Sequence, residues 1–335
     1  MKVLVIGSGG FIGRPLAAAL ANDGHHVSGL DARPPAEPVP YACTAGDIRD
    51  PHAVRHAAAD ADLIINLAAE HKDFGVTREA YFAVNDLGTE NVMAAAADLG
   101  IHRVCFFSSV AVYGPGSDIT EASPAAPATP YGESKVAGER RVAAWAAADP
   151  RRQAVILRPT VVFGPCNFGN MFNLIRTIAA RRFVMVGDGA NIKSVAYVGN
   201  VVAATRFLID RMQPGLAAFN YSDYPQMTAR ELVALISRAL GRPAPRIRLP
   251  LAPAIAAAQA VDLVGRWTGF DFPVTASRIR KLNMSTAIVS DSIRQLGFRQ
   301  ATSIDEALRI TIDWYREYKR TATPTSAHAQ APQWR

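Results

Sequence analysis

The sequence predicts an α/β fold, a doubly wound parallel sheet followed by a smaller C-terminal α/β subdomain. Three observations predict it. Short apolar runs rich in β-branched residues alternate with helical patterns through about residue 165. The first of these runs breaks on glycines and re-enters as a helix. Beyond that point the alternation loosens into short segments separated by Gly/Asn and Gly/Asp turns.

The first run, Lys2-Val3-Leu4-Val5-Ile6, is the first strand, and it stops at Gly7-Ser8-Gly9-Gly10-Phe11-Ile12-Gly13. A strand, a glycine turn and a helix N-terminus together cradle a pyrophosphate, because the bare backbone presents its amides to the anion. Gly7 suits the tight turn, Gly10 the close backbone approach, and Gly13 the packing of helix on strand. The next strand, 26–30, ends at Asp31, where an acidic residue would meet ribose hydroxyls. Arg33 follows, yet the Asp31 carboxylate would repel a 2′-phosphate, so NAD is expected rather than NADP. Asp47-Ile48 allows two readings. Asp47 accepts from an adenine amine while Ile48 packs on the ring, or Asp47 is the N-terminal carboxylate of the helix at Pro51.

A buried strand over 61–67 runs into Leu67-Ala68-Ala69, small enough for a cofactor to pass close by. A helical pattern over 77–99 holds Asn85, Gly88, Thr89 and Asn91, polar groups that need partners inside an apolar helix. The strand 102–107 ends in Ser108-Ser109, and ligands sit at the carboxyl ends of such strands. Residues 114–130 read as a Pro/Ala loop. Tyr131-Gly132-Glu133-Ser134-Lys135 then opens a helix to about Ala148. Tyr131 and Lys135 stand at i and i+4, on one face. An ammonium beside a phenol favours the phenolate, which makes Tyr131 a candidate acid/base and Ser109 a candidate partner for the same substrate oxygen. The strand 154–157 leads to Arg158-Pro159-Thr160. Helices follow over 174–181, 201–210, 228–240 (Thr228 capping, Gly241 closing) and 303–319, with strands at 194–198 and 219–221.

At 335 residues and about half hydrophobic, the chain is long enough for a sizeable core. Its net charge of +7 is scattered, with no basic stripe interleaved with aromatics, which argues against nucleic acid. Cys43, Cys105 and Cys166 show no metal spacing, and their odd number suits a reducing cytoplasm. The N-terminal strand leaves no room for a signal peptide. The apolar stretch 249–264 contains Pro253 and Asp262, too interrupted to span a bilayer. It reads as a buried helix, with a membrane-surface or greasy-pocket role as the other reading. Residues 321–335 read as a disordered tail.

Taken together, residues 7–13, Asp31, Asp47-Ile48, 66–69, Asn85, Gly88-Thr89, Asn91, 108–114, Tyr131/Lys135 and 158–165 resemble the extended short-chain dehydrogenase/reductase family. The likeness is greatest to its nucleotide-sugar epimerases, dehydratases and 4-keto reductases. It implies a Rossmann-type NAD-binding part, 1–165 with about 195–220, and a substrate part, 166–194 with 221–320. It places NAD on Gly7, Gly9, Gly10, Phe11, Ile12, Gly13, Asp31, Asp47, Ile48, Leu67, Ala68, Ala69, Asn85, Tyr131, Lys135 and Pro159. It makes Tyr131 the base for a sugar hydroxyl, Lys135 the ribose ligand that tunes it, and Ser109 the holder of the sugar oxygen. Asn170, Lys193 and Arg278 would meet the substrate, a nucleotide sugar expected to be UDP-linked.

Departures from the family narrow the reaction. Family 4,6-dehydratases carry Thr-Asp-Glu where this chain has Ser109-Val110-Ala111, so the acid and base that such an elimination needs are absent. Asn66 replaces the usual His, Lys193 the usual Arg, and Gly199-Asn200 stands in place of the end of a Val-x-Asp. The expectation is an NAD-dependent 4-epimerase working through a keto intermediate. A net oxidoreductase (keto-sugar or hydroxysteroid type) and a non-catalytic NAD-binding regulator are the alternatives. The resemblance also implies a homodimer through helices 77–99 and 131–148, whose small faces suit close packing.

Overall fold

A computed structural model of the chain describes residues 1–72, 75–245, 247–268, 279 and 283–321. Arg278 and the expected tail from 322 onward lie outside the described residues. In order, the first half forms β1 (Lys2–Ile6), α1 (Gly13–Asn22), β2 (His26–Asp31), β3 (Ala42–Ala45), α2 (Pro51–Ala58), β4 (Leu63–Asn66), α3 (Arg78–Phe82), α4 (Gly88–Asp98), β5 (Arg103–Phe107), β6 (Gly116–Ile119), α5 (Pro130–Ala147) and β7 (Gln153–Pro159). The second half forms β8 (Val161–Phe163), α6 (Asn170–Ala179), β9 (Met185–Val186), β10 (Ile192–Lys193), β11 (Val195–Tyr197), α7 (Val198–Ile209), β12 (Gly215–Tyr221), β13 (Met227–Thr228), α8 (Ala229–Ala239), β14 (Arg248–Leu249), α9 (Leu251–Thr268), β15 (Thr286–Ile288), α10 (Asp291–Gln295) and α11 (Ile304–Thr321).

Seven strands pair in parallel in the order β3-β2-β1-β4-β5-β7-β12. Strand order reverses on either side of β1, and a crevice opens there at the carboxyl ends. Both faces are covered, which explains the continuous apolar runs. Val3, Val5, Ile65 and Val155 pack with Leu16, Leu20 and Leu208 of α1 and α7 on one side. Leu4, Ile6, Phe106 and Ile156 pack with Val54, Val92 and Trp145 of α2, α4 and α5 on the other. Each fully buried Leu or Ile adds about 1.5–3 kcal/mol.

The helix predicted over 77–99 contains a wide π turn, Ala83–Leu87, between α3 and α4. Helix α5 crosses it closely: a Cβ on Gly138 would lie 2.5 Å from Asn85 O and 2.9 Å from the Phe106 ring. Arg141 bridges to Asp86 at 2.8 Å and Glu90 at 2.6 Å. The two helices expected to meet a second copy therefore first pack on each other. Ala95 and Ala96 are buried, whereas Ala94, Ala97, Ala144 and Ala147 face outward.

Residues 114–130 are not loop throughout. β6 joins a second sheet, β13-β10-β15-β6, pairing in parallel with β15 some 170 residues later, Thr286 opposite Gly116. That partner is too distant in sequence for any local pattern to reveal it. Under this sheet α6, α8 and α11 bury Phe172, Ile175, Ile236, Leu308 and Ile312. Thr228 closes a capping box with Glu231, as its position predicts, and Gly241 follows the helix at φ +66°. The buried Asp223 carboxylate accepts from Tyr197 N, Asn200 Nδ2 and Tyr221 Oη at 2.7–3.0 Å, and burial pushes its pKa up to about 6. Asn200 also exchanges two bonds with the Thr302 backbone, so the departure at this position is structural.

Of the stretch 249–264, the side chains of 249–259 are described, and they depart from the buried-helix reading. Ala254, Ile255 and Ala258 of α9 pack with Val186 and Ile279. Leu251, Ala252, Pro253, Ala256 and Ala257 are exposed, and among the described residues the core contacts of this helix lie on its other side.

Candidate functional site

The glycine loop closes at the carboxyl end of β1. Gly7 N donates to Leu30 O at 2.8 Å and Gly10 N to Gly7 O at 3.1 Å, with Gly7 at φ +86°. A Cβ on Gly7 would lie 2.8 Å from Ala68 N, so Leu67-Ala68-Ala69 stands directly beside the turn. A Cβ on Gly13 would sit 2.0 Å from Gly7 O. Phe11 reaches toward the turn at Gly164, and Ile12 holds the N-cap position of α1. Gly13→Ala is expected to lower stability by about 1–3 kcal/mol and to empty the cradle of nucleotide, read as a fall in Tm and in the ratio of absorbance at 260 to 280 nm.

Asp31 bends over this loop. Its Oδ2 accepts from Gly9 N and its Oδ1 from Arg33 N, both at 2.8 Å. The carboxylate is thus oriented before any ribose arrives. Asp47 is not a helix cap, because Asp50 takes that place, accepting from His52 N at 2.9 Å. Asp47 instead forms a fork with Arg49, and that side-chain bond lowers its pKa. Ile48 is buried against Gly88, where a Cβ would lie 2.8 Å from it.

Asn85 sits inside the π turn, fully buried. Its amide exchanges bonds with the Glu70 backbone at 3.0 and 2.9 Å and donates to Ser134 Oγ at 2.9 Å. It ties the loop after β4 to the helix that carries Tyr131 and Lys135. π turns recur at such sites because the extra residue re-aims a side chain.

Lys135 is 1% exposed; its Nζ donates to Phe107 O at 2.6 Å and lies 4.7 Å from the centre of the Phe106 ring. Burial pulls its pKa down to about 7, opposed by the charge of Glu139. The ammonium, expected simply beside the phenol, is therefore anchored to the end of β5. Tyr131 is half-buried and tilts on Tyr81 at 6.1 Å. Ser109 caps the turn Val110–Val112, its Oγ accepting from Ala111 N at 3.2 Å. A Cβ on Gly132 would lie 2.4 Å from Ala111 O, so the residue after Tyr131 presses against the turn that Ser109 caps. All three candidate catalytic residues thus gather at one strand end. Pro159 ends the neighbouring strand β7.

Behind them lies a group that sequence reasoning passed over. Arg158 pairs with Glu139 at 2.6 Å, both nearly buried, and with Tyr113 Oη, which also donates to Asn220 Oδ1 at 2.9 Å. The signal was present, since Glu139 stands at i+4 from Lys135. Among the substrate candidates, Lys193 ends β10 and donates to Met284 O at 2.7 Å. Asn170 is exposed at the first turn of α6.

The site fits a dinucleotide. The turn is one that a Cβ would fill, the carboxylate of Asp31 is pre-set, and among the described residues Ser108 Oγ and Thr160 Oγ1 are buried at the strand ends without a hydrogen-bond partner.

Comparison with known proteins agrees. The family described as the NAD dependent epimerase/dehydratase family matches residues 3–221. An N-acetyl-alpha-D-glucosaminyl-diphospho-ditrans,octacis-undecaprenol 4-epimerase of Escherichia coli O157:H7 is 34% identical over 93% of this chain and 95% of its own. A 2-alkyl-3-oxoalkanoate reductase of Stenotrophomonas maltophilia is 32% identical over 72% of this chain and 77% of its own. The solved structure of MoeE5 in complex with UDP-glucuronic acid and NAD aligns with TM-score 0.77 at 26% identity, covering 95% of this chain and 99% of that one.

Proposed function

The chain belongs to the NAD dependent epimerase/dehydratase family, as an NAD-dependent enzyme of the extended short-chain dehydrogenase/reductase type, and on that premise we propose that it inverts C4 of a hexose carried on a diphosphate. One observation supports this reading: Lys135 bonds the end of β5, Ser109 caps the turn that follows it and Gly132, next to Tyr131, presses on that turn, while Val110 and Ala111 occupy the places where an elimination would need carboxyl groups.

Bound NAD supplies a reversible hydride acceptor at C4. Tyr131 takes the proton of the C4 hydroxyl as the carbon is oxidised, and Ser109 holds that oxygen through the change. Lys135, fixed by Phe107 O, holds the ribose and sets the charge beside the phenol. Once the keto sugar has turned its other face to the cofactor, the hydride would return to C4 as Tyr131 returns the proton to the same oxygen, so no net NADH accumulates. Asp31 takes the adenosine ribose hydroxyls, and Asp47 with Ile48 borders the adenine. Pro159, Leu67, Ala68 and Ala69 wall the cleft, and the described parts of 166–194 and 221–320 would supply the sugar side. Asn170, Lys193 and Arg278 take the diphosphate side; an ammonium has three donors and serves a carbonyl and a phosphate together.

The expected UDP carrier is the one in the MoeE5 complex. The 34% likeness to a polyprenol-linked 4-epimerase over nearly its whole length favours a lipid diphosphate. A net reductase is the second reading, favoured by the 32% identical relative. We further propose a homodimer through the outward faces of α4 and α5, for which a doubled mass in light scattering is the check.

The test begins with the purified protein. Denaturation is expected to release stoichiometric NAD or NADH, read by chromatography. UDP-N-acetylglucosamine and its polyprenol-diphosphate counterpart are then offered, and the C4 epimer is sought by NMR. Steady production of NADH, or its consumption with a keto substrate, would replace the epimerase by the reductase.

A further inference from the structure

Helix α9 presents an outward face that soluble surfaces rarely show. From 249 to 259 the sequence has no charged residue. Its inner side packs on Val186, but Leu249 is 47% exposed and Leu251 37%. The neighbouring strand pair extends the strip. β9 and β14 run in parallel, with Met185 N bonded to Ile247 O at 3.2 Å, which brings Val184 beside Ile247. Those two side chains are 37% and 64% exposed. Contiguous exposed apolar surface of this kind marks an interaction site.

Arginines border the strip. Arg181 and Arg182 precede Val184, Arg242 precedes the loop into β14, and Arg248 lies within it; all four are exposed. Elsewhere Arg14, Arg55, Arg141 and Arg206 each pair with a carboxylate within 2.8 Å. Among the described residues these four have no ion pair. Asp188, on the turn after β9, accepts from Ala190 N. An apolar face over 249–259 with exposed, unpaired arginines close to it in sequence matches the surface of an anionic bilayer, acyl chains against the leucines and phosphates against the guanidinium groups. No helix among the described residues is long and apolar enough to cross a membrane, so the contact lies along the surface. The strip also leads directly into β10 and Lys193, at the diphosphate side of the proposed pocket.

We propose that the face formed by Val184, Ile247, Leu249, Leu251, Ala252, Pro253, Ala256 and Ala257 docks on anionic phospholipid bilayers, where a sugar on a lipid diphosphate would be reached. The proposal deepens the lipid-linked reading of the substrate and rests on it for its purpose. Its measurement is independent of turnover. The full-length, NAD-loaded protein is floated with vesicles of phosphatidylcholine alone or mixed with phosphatidylglycerol.

The wild type is expected to float only with the anionic vesicles, and less at high salt. Arg182→Gln with Arg248→Gln is expected to weaken partition about fivefold for each arginine. Leu249→Glu with Leu251→Glu is expected to weaken it about tenfold or more for each leucine. Unchanged Tm and NAD content check the fold; the arginines make no side-chain hydrogen bond among the described residues, so their variant carries the test if the leucine variant unfolds. A wild type that stays unbound, or variants that float as well as it does, overturns the proposal. So does a dimer that the leucine variant turns into monomer without any vesicle binding, since a second copy would then cover the face. Failure to float with UDP-sugar epimerisation intact sinks the docking alone; floating without any epimerisation sinks the catalytic reading alone.

Discussion

Tyr131→Phe is expected to lower C4 epimerisation about 10²–10⁴-fold, the usual worth of a positioned acid/base, while NAD content and Tm stay near wild type. The hydroxyl is the one atom removed. The ring keeps its tilted contact with Tyr81 at 6.1 Å, and the backbone carbonyl at 131 keeps the bond from Ser134 Oγ at 2.8 Å. Both contacts survive in the variant. The measurement is turnover on the best diphosphate-linked sugar beside nucleotide released on denaturation. Wild-type turnover in the variant would remove Tyr131 from the chemistry and leave Ser109 without a proton partner.

Lys135→Met is expected to abolish measurable turnover and to change how stability depends on pH. In the folded protein burial holds the Lys135 pKa at about 7, below its ordinary 10.5. Between those values the unfolded chain binds one more proton than the folded one, so this group's contribution to stability rises with pH across the window. Its burial cost is fully present below about pH 7 and has gone above the unfolded value. The methionine side chain carries no such cost. The Tm of the nucleotide-free wild type should therefore gain on that of the variant between pH 7 and 10. A gap between the two that stays constant would mean that the ammonium keeps its ordinary affinity for protons. Glu139, tied to Arg158 at 2.6 Å, opposes the burial and keeps part of the charge. The pair reads as a support that holds Lys135 partly protonated at the working pH.

Much of this site is legible in the order of its residues. Gly7, Gly10 and Gly13 announce the cradle because a Cβ at any of them would lie 2.0–3.2 Å from a backbone atom. The i, i+4 relation of Tyr131 and Lys135 holds in any helix. Asp31 lies at the end of a strand whose partner register is set by the apolar pattern. What was less legible depends on contacts across the chain. Asp47 offers two readings by spacing alone, and the helix-cap one is removed because Asp50 caps α2 and Asp47 pairs with Arg49. Lys193 reads as a phosphate ligand, and its bond to Met284 O comes from a segment about ninety residues away.

The sequence by itself determined the parallel sheet, the glycine cradle, the acidic strand end and the tyrosine–lysine helix, because each is written in periodicity or residue type over a few neighbouring positions. Tertiary structure alone decided that Lys135 anchors to Phe107 O, that Asn85 sits in a π turn crossed by Gly138, that β6 pairs with β15, and that Ala258 is buried while Leu251, Ala252, Ala256 and Ala257 are exposed among the described residues. These depend on which distant surfaces meet, and burial, desolvation and hydrogen-bond partners follow from that meeting rather than from local pattern.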